Sequence, residues 1–267
     1  MEIYKNNRFS IARLFIDNSE RNFNYIIWCN KKLECAVIDP CDAAYVLKIV
    51  RDNNLSIKYV INTHAHPDHI SGNNAVIKVS MLSKILIHTI GLDYVSPRSQ
   101  SIEEGSEIKI GDIFIKVLHT PGHCPEHVSL LIEDNVFVGD TVFFSGCGNT
   151  KFRGNSKDLF SSISKKLMTL PDDTKIFCGH EYSVNNLRFA LSIEPLNNYI
   201  NNKIKQIEAS LSEGKYPLST VREEKLYNPF FRFTKRSIID YLSSNYNLTR
   251  TDPESVFIKL RELRNNW

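Results

Sequence analysis

Three imidazoles and a carboxylate stand in one short run, His64-Ala65-His66-Pro67-Asp68-His69. It follows an apolar stretch, residues 57–61, that reads as a buried strand, so the cluster sits on the loop at that strand's C-terminal end. In an extended segment residues i and i+2 face the same way, and His64 and His66 therefore point at one spot. Pro67 bends the chain and presents Asp68 and His69 together to a neighbouring spot. Imidazole and carboxylate suit zinc, manganese and iron. One cation seldom takes four ligands from a single tight turn, so two adjacent cations are the natural reading. The alternative is a polar loop of solvated histidines, and the density of ligands argues against it.

Nothing in the composition competes with this. The chain has 267 residues, 42% hydrophobic and 24% charged, which suits one large domain or two. No apolar run approaches the roughly 20 residues needed to span a bilayer. The start, Met1 to Asn7, has neither the apolar core of a signal peptide nor the pattern of a transit peptide, and the chain is read as cytoplasmic. Six cysteines (29, 35, 41, 124, 147 and 178) include no C-x-x-C pair, so reduced thiols are expected rather than a disulfide framework. Cys124 adjoins His123 and could line the site, but metal-bound water is a sufficient nucleophile without it. Residues 215–267 carry ten Lys/Arg against six Asp/Glu, within a chain of net charge +3. That basic end could meet an anionic substrate and is too sparse to argue for nucleic acid.

Along the chain, strands are expected at 23–28 and 35–40, a helix at 42–53 capped by Asp42, and a strand at 57–61 before the histidine loop. Further strands are expected at 84–88, 107–110, 113–117, 128–132, 136–138 and 175–178. Gly111-Asp112 marks one hairpin and Asp134-Asn135 another. A helix is expected at 156–170, stopped by Pro171. After His180 strand signals nearly vanish, and helices are expected at 184–191, 195–213, 221–227, 237–246 and 253–264. This divides the chain into residues 1–181 and a helical domain, residues 182–267.

The H-x-H-x-D-H run resembles the signature of the metallo-β-lactamase superfamily, and that resemblance implies three more ligands. All are present: His123 in Pro121-Gly122-His123, Asp140 in Gly139-Asp140-Thr141, and His180 in Gly179-His180. Each follows an apolar run, with a glycine before it that permits a tight turn. The resemblance implies that His64, His66 and His123 hold one metal, that Asp68, His69 and His180 hold the other, and that Asp140 bridges them. Such pairs lie about 3.5–4 Å apart with hydroxide between them, which makes hydrolysis the expected chemistry. Zinc is the first choice, with iron or manganese also suited. His119 and His127 flank the Pro-Gly-His turn and are expected in the core or bonded to the ligands; His88 is expected to be structural.

The stretch from Gly139 to Gly148 resembles the glyoxalase II family more narrowly. So do Gly179-His180-Glu181-Tyr182 with Asn185-Asn186-Leu187, Glu223-Glu224-Lys225 with Asn228-Pro229-Phe230, and Asp252-Pro253 followed by Leu260-Arg261-Glu262-Leu263-Arg264. The resemblance covers nearly the whole chain. It implies an α/β (α+β) fold, the αββα metallo-β-lactamase sandwich with a C-terminal helical domain. It also implies hydrolysis of S-D-lactoylglutathione to D-lactate and glutathione through a metal-bridging hydroxide, with Asp68 and Asp140 as catalytic carboxylates. By residue matching, Tyr182, Asn186, Arg261 and Arg264 fall on glutathione-contacting positions, and Arg suits carboxylate recognition. The run Asn149-Thr150-Lys151-Phe152-Arg153-Gly154 departs from the family: Lys151 takes the basic position and Arg153 stands where an aromatic is usual. The expected partner is a small thioester, with no nucleic acid and no membrane, and the chain is expected to be a monomer or a weak dimer. Three other readings are weighed. A glutathione persulfide dioxygenase of the same superfamily would not need residues 195–267, a nuclease would want a basic exosite, and a non-catalytic glutathione-binding protein would have lost metal ligands.

Overall fold

A computed structural model describes residues 1–80, 83–96 and 98–267. The chain divides into two compact units, Met1–His119 with Glu126–Glu133, and Thr120–Pro125 with Asp134–Trp267.

The first unit holds a seven-stranded sheet in chain order: β1 (Glu2–Lys5), β2 (Phe9–Phe15), β3 (Phe23–Cys29), β4 (Glu34–Ile38), β5 (Ser56–Ile61), β6 (Lys84–His88) and β7 (Ser99–Ile102). The first four pair antiparallel, and β4 to β7 run parallel. Parallel neighbours need a crossover, and α1 (Ala43–Asp52) supplies it between β4 and β5. Its N-cap is Asp42, whose carboxylate accepts from the Tyr45 backbone N–H. Val46, Ile49 and Val50 of α1 pack with Ala12, Trp28, Val37 and Val60 of the sheet, and each such side chain contributes roughly 1.5–3 kcal/mol. After β5 come α2 (Pro67–Ile70), with Pro67 in its first turn, and α3 (Asn73–Val79). The unit is completed by β8 (Glu107–Ile110), β9 (Ile113–His119) and β10 (Val128–Ile132), an antiparallel set. β2 was not expected. Arg13 interrupts its apolar run, yet Arg13 is buried, paired with Glu2 and lying over the rings of Tyr4 and Phe23.

The second unit holds β11 (Asn135–Gly139), the two-residue strands β12 (Val142–Phe143) and β13 (Gly146–Cys147), β14 (Lys175–Cys178) and β15 (Ser219–Thr220). β11 and β14 run parallel. Its helices are α4 (Ser156–Ser162), α5 (Ser183–Ile193), α6 (Asn198–Ser212), α7 (Val221–Tyr227), α8 (Arg236–Tyr246) and α9 (Pro253–Asn265). The helix expected over 156–170 is α only as far as Ser162 and then widens into a π turn, Ile163–Leu167. Leu159, Ile163 and Leu167 are buried along both parts at a spacing of four, on one apolar face. Phe144, Leu187, Ala190, Ile200, Ile207 and Tyr227 form a core beneath α5, α6 and α7. Among the described residues no helix is long and apolar enough to cross a membrane, and none of the six cysteines is in a disulfide.

Candidate metal centre and substrate cavity

In the first unit, Ile38 of β4 pairs with Ile61 of β5, so Asp39 and Asn62 leave the sheet side by side. Asp39, at a left-handed φ of 47°, is buried and binds the histidine loop three ways. Its Oδ1 accepts from the Thr63 backbone N–H at 2.8 Å, and its Oδ2 accepts from the Thr63 hydroxyl at 2.6 Å and from His69 Nδ1 at 3.0 Å. The Thr63 hydroxyl in turn accepts from His64 Nδ1 at 3.0 Å. This chain of bonds sets one tautomer for both rings and makes Nε2 the nitrogen of each that could meet a metal. Asp39 lies within 4.8 Å of the ligand atoms of His64 and His69. With both oxygens engaged, Asp39 fixes the loop and its rings in place. His64 Nε2 faces His66 Nδ1 at 3.1 Å, and His69 Nε2 faces Asp68 Oδ2 at 3.4 Å. Asn22 holds Asp68 by donating to Oδ2 at 2.9 Å. His127 stacks on His64 at 5.0 Å, and His88 stacks on His119 at 4.1 Å, where burial first and then His119 lower the His88 pKa.

In the second unit, the parallel register of β11 and β14 sets Gly139 opposite Cys178, and the Gly179 N–H donates to the Gly139 carbonyl at 2.8 Å. The next residues, Asp140 and His180, are thereby brought together. Asp140 Oδ2 lies 3.2 Å from His180 Nε2 and 3.6 Å from His123 Nε2. Gly122 has φ 137°, and a Cβ there would overlap the Leu159 backbone, so only glycine passes the chain to His123. His123 Nδ1 donates to the Asn149 carbonyl at 2.7 Å, again leaving Nε2 for a metal.

These spacings fit the group implied. Metal–nitrogen bonds of about 2.0–2.1 Å in a tetrahedral set put neighbouring ligand atoms about 3.3 Å apart. The observed separations of 3.1, 3.2, 3.4 and 3.6 Å bracket that value.

A cavity of 260 Å³ opens in the second unit, with Phe143, Lys151, Tyr182, Asn186, Arg261 and Arg264 in its wall. Among the described residues, three cationic side chains and no carboxylate side chain line it. Tyr182 stacks on His180 with ring centroids 5.0 Å apart, so one residue belongs both to the cavity and to the ligand's surroundings. Asn186 donates to the Phe144 carbonyl at 3.0 Å and accepts from Arg264 Nη2 at 3.1 Å. Arg261 is only 3% exposed and donates to the carbonyls of Cys147 and Gly148. Arg153 is exposed, with φ 63°, and is not among the cavity's lining residues. Trp267 lines the cavity and was not foreseen; it packs edge-on to Phe189 at 5.6 Å.

Residues 22–180 match the Metallo-beta-lactamase superfamily, and residues 181–267 match the Hydroxyacylglutathione hydrolase C-terminus. The chain is 36% identical over 263 residues to a hydroxyacylglutathione hydrolase of Nitrosococcus oceani, covering 96% of this chain and 99% of the relative. It is 35% identical over 266 residues to one from a Polaromonas species, again covering 96% and 99%. Among solved structures, ETHE1 from Myxococcus xanthus is similar with a TM-score of 0.67 and 26% identity, over 94% of this chain and 98% of that one.

Proposed function

The chain belongs to the metallo-β-lactamase superfamily and, within it, to the hydroxyacylglutathione hydrolases, and from that premise we propose which of its residues perform the reaction. Its fold class is accordingly the mixed α/β metallo-β-lactamase fold with a C-terminal helical domain. It hydrolyses the thioester of S-lactoylglutathione, giving lactate and glutathione, and it binds divalent metal ions.

His64, His66 and His123 would hold one metal and Asp68, His69 and His180 the other, with Asp140 as the ligand common to both. The metals, zinc first with iron or manganese as alternatives, supply a Lewis acid and lower the pKa of a water. The chain's own residues do the rest. Asp39, Thr63 and the Asn149 carbonyl fix the tautomers of three ligands. Asp68, held by Asn22, orients the attacking water. Water oxygen bonds to the acyl carbon, the carbon–sulfur bond breaks, and the sulfur leaves as a thiolate that takes up a proton. A thiolate leaves readily, so no dedicated general acid is required.

The observation that carries the substrate assignment is the cationic cavity that shares Tyr182 with His180. Glutathione carries two carboxylates and one ammonium, and a pocket with three cations and no acid suits such an anion. Lys151, Tyr182, Asn186, Arg261 and Arg264 are the proposed contacts. The persulfide dioxygenase alternative is less supported, because residues 181–267 match the hydrolase's own C-terminal part. The same boundary supports the division into residues 1–181 and 182–267. The proposed setting is a reducing cytoplasm, supported by six cysteines with no disulfide among them, with the chain acting on a small molecule as a monomer or weak dimer. Hydrolysis of lactoylglutathione by the purified protein, measured with and without a chelator, is the test. Activity that survives complete metal removal would sink the metal-dependent mechanism.

A further inference from the structure

We propose that Arg261 is a positioning residue: it sets His123 through the backbone of Cys147, Gly148 and Asn149, beside whatever its charge contributes to the cavity. The inference rests on the reading of His123 as a metal ligand.

Three contacts run in series through this short strap. On one side, Arg261 Nη1 donates to the Cys147 carbonyl at 2.8 Å and to the Gly148 carbonyl at 3.0 Å. On the other, the Asn149 carbonyl accepts from His123 Nδ1 at 2.7 Å. Between them, Gly148 is wedged against the site: a Cβ there would overlap the Asp140 carbonyl oxygen and lie 3.0 Å from His123 Nδ1. The strap therefore lies on two ligand residues, and its carbonyls must keep a narrow orientation.

Arg261 suits this task. It is 3% exposed, and its guanidinium lies over the Phe230 ring, 5.4 Å from the centroid. A planar donor fork held on an aromatic face can serve two adjacent carbonyls in a fixed geometry. The strap is also tied down at its end. The Asn149 side chain accepts from the Lys151 backbone N–H at 3.0 Å, and Lys151 Nζ donates to the Asn265 carbonyl at 3.1 Å. Helix α9 thus holds, at both of its strap contacts, the segment that aims a metal ligand. Partners that orient a metal-binding histidine are worth about 10–100-fold in metal affinity or activity.

The test compares Arg261→Met, Arg261→Lys and His123→Ala in the full chain, loaded with zinc and then challenged with a chelator. Arg261→Met is expected to give up one zinc of two at least about tenfold more readily. Its kcat should fall as well, in step with the zinc it gives up. Arg261→Lys, which returns a donor to the same carbonyls, should recover part of both losses, and it carries the comparison if the Met variant does not fold. Two zincs held as firmly as in the unaltered protein would overturn the proposal, whether or not KM rises. His123→Ala that keeps both zincs would instead overturn the assignment of the ligand, a failure separate from that of Arg261.

Discussion

Arg264, one turn beyond Arg261 on α9, stands half-buried in the cavity wall and donates to Asn186 at 3.1 Å. Burial first, and then the Arg261 charge, lower its pKa, and an arriving carboxylate would relieve both. Arg264→Met should raise KM about tenfold to a hundredfold with kcat little changed, since a charged hydrogen bond is worth about 1.5–3 kcal/mol. Steady-state kinetics with lactoylglutathione and with a thioester lacking the glycine check this. An equal loss on both substrates would remove Arg264 from the glycyl carboxylate. Cys124 is fully buried, and Cys124→Ser should keep most of kcat; a collapse at constant metal content would point to a thiol mechanism. At this scale the proposed ligands stood out in the sequence because imidazoles and carboxylates are rare in such density. Their orienters did not. Asp39 is one acid among 30, and the carbonyls of Cys147, Gly148 and Asn149 leave no mark in a sequence at all.

Among the elements, α7 shows how a short helix can be read to the residue and still conceal its purpose. Its bounds match the expected 221–227, because Thr220 and Glu223 form a reciprocal capping box. What the pattern did not reveal is Glu224, completely buried, whose Oε2 accepts from the Ser145 backbone N–H at 3.0 Å and from Asn228 at 2.7 Å. Burial raises its pKa from 4.5 to about 7. A raised carboxyl pKa favours the protonated form in the folded state. The contribution to stability is therefore full below pH 4.5 and is lost as pH rises through about 7, because the unfolded chain releases its proton first. The loss is at most roughly 3 kcal/mol. Glu224→Gln keeps an acceptor for Ser145 and Asn228, so its Tm should exceed the unaltered protein's by a few degrees at pH 8 and match it near pH 5. Parallel Tm curves for the two proteins across that range would refute the assignment. The two-residue strands β12, β13 and β15 were illegible for a different reason: a pair of residues has no periodicity to read.

For the molecule as a whole, the seven proposed ligands are scattered from His64 to His180, so metal binding should register in global stability. A ligand that binds only the folded state stabilises it by about 2.7 kcal/mol when present at a hundredfold excess over Kd. Stripping both metals should therefore lower Tm by on the order of 5 °C or more, with recovery on adding zinc. The fold class and the change of texture after His180 were readable over this span because apolar runs and helical spacing repeat many times. The two compact units were not, since they interleave Thr120–Pro125 and Glu126–Glu133 in a way that no local pattern reports. Asp140 offers the sharpest test of how the ligands are shared. Its Oδ2 faces His123 at 3.6 Å and His180 at 3.2 Å, residues assigned to different metals. Asp140→Ala should accordingly reduce occupancy at both sites and bring Tm close to that of the stripped protein, whereas His180→Ala should lose mainly one metal and about half of that Tm difference. Metal counting per chain, read beside calorimetry, separates the two. Two full metals in Asp140→Ala would end the bridging role, and an unchanged Tm on complete stripping would show that the ligand loops hold their places without the ions.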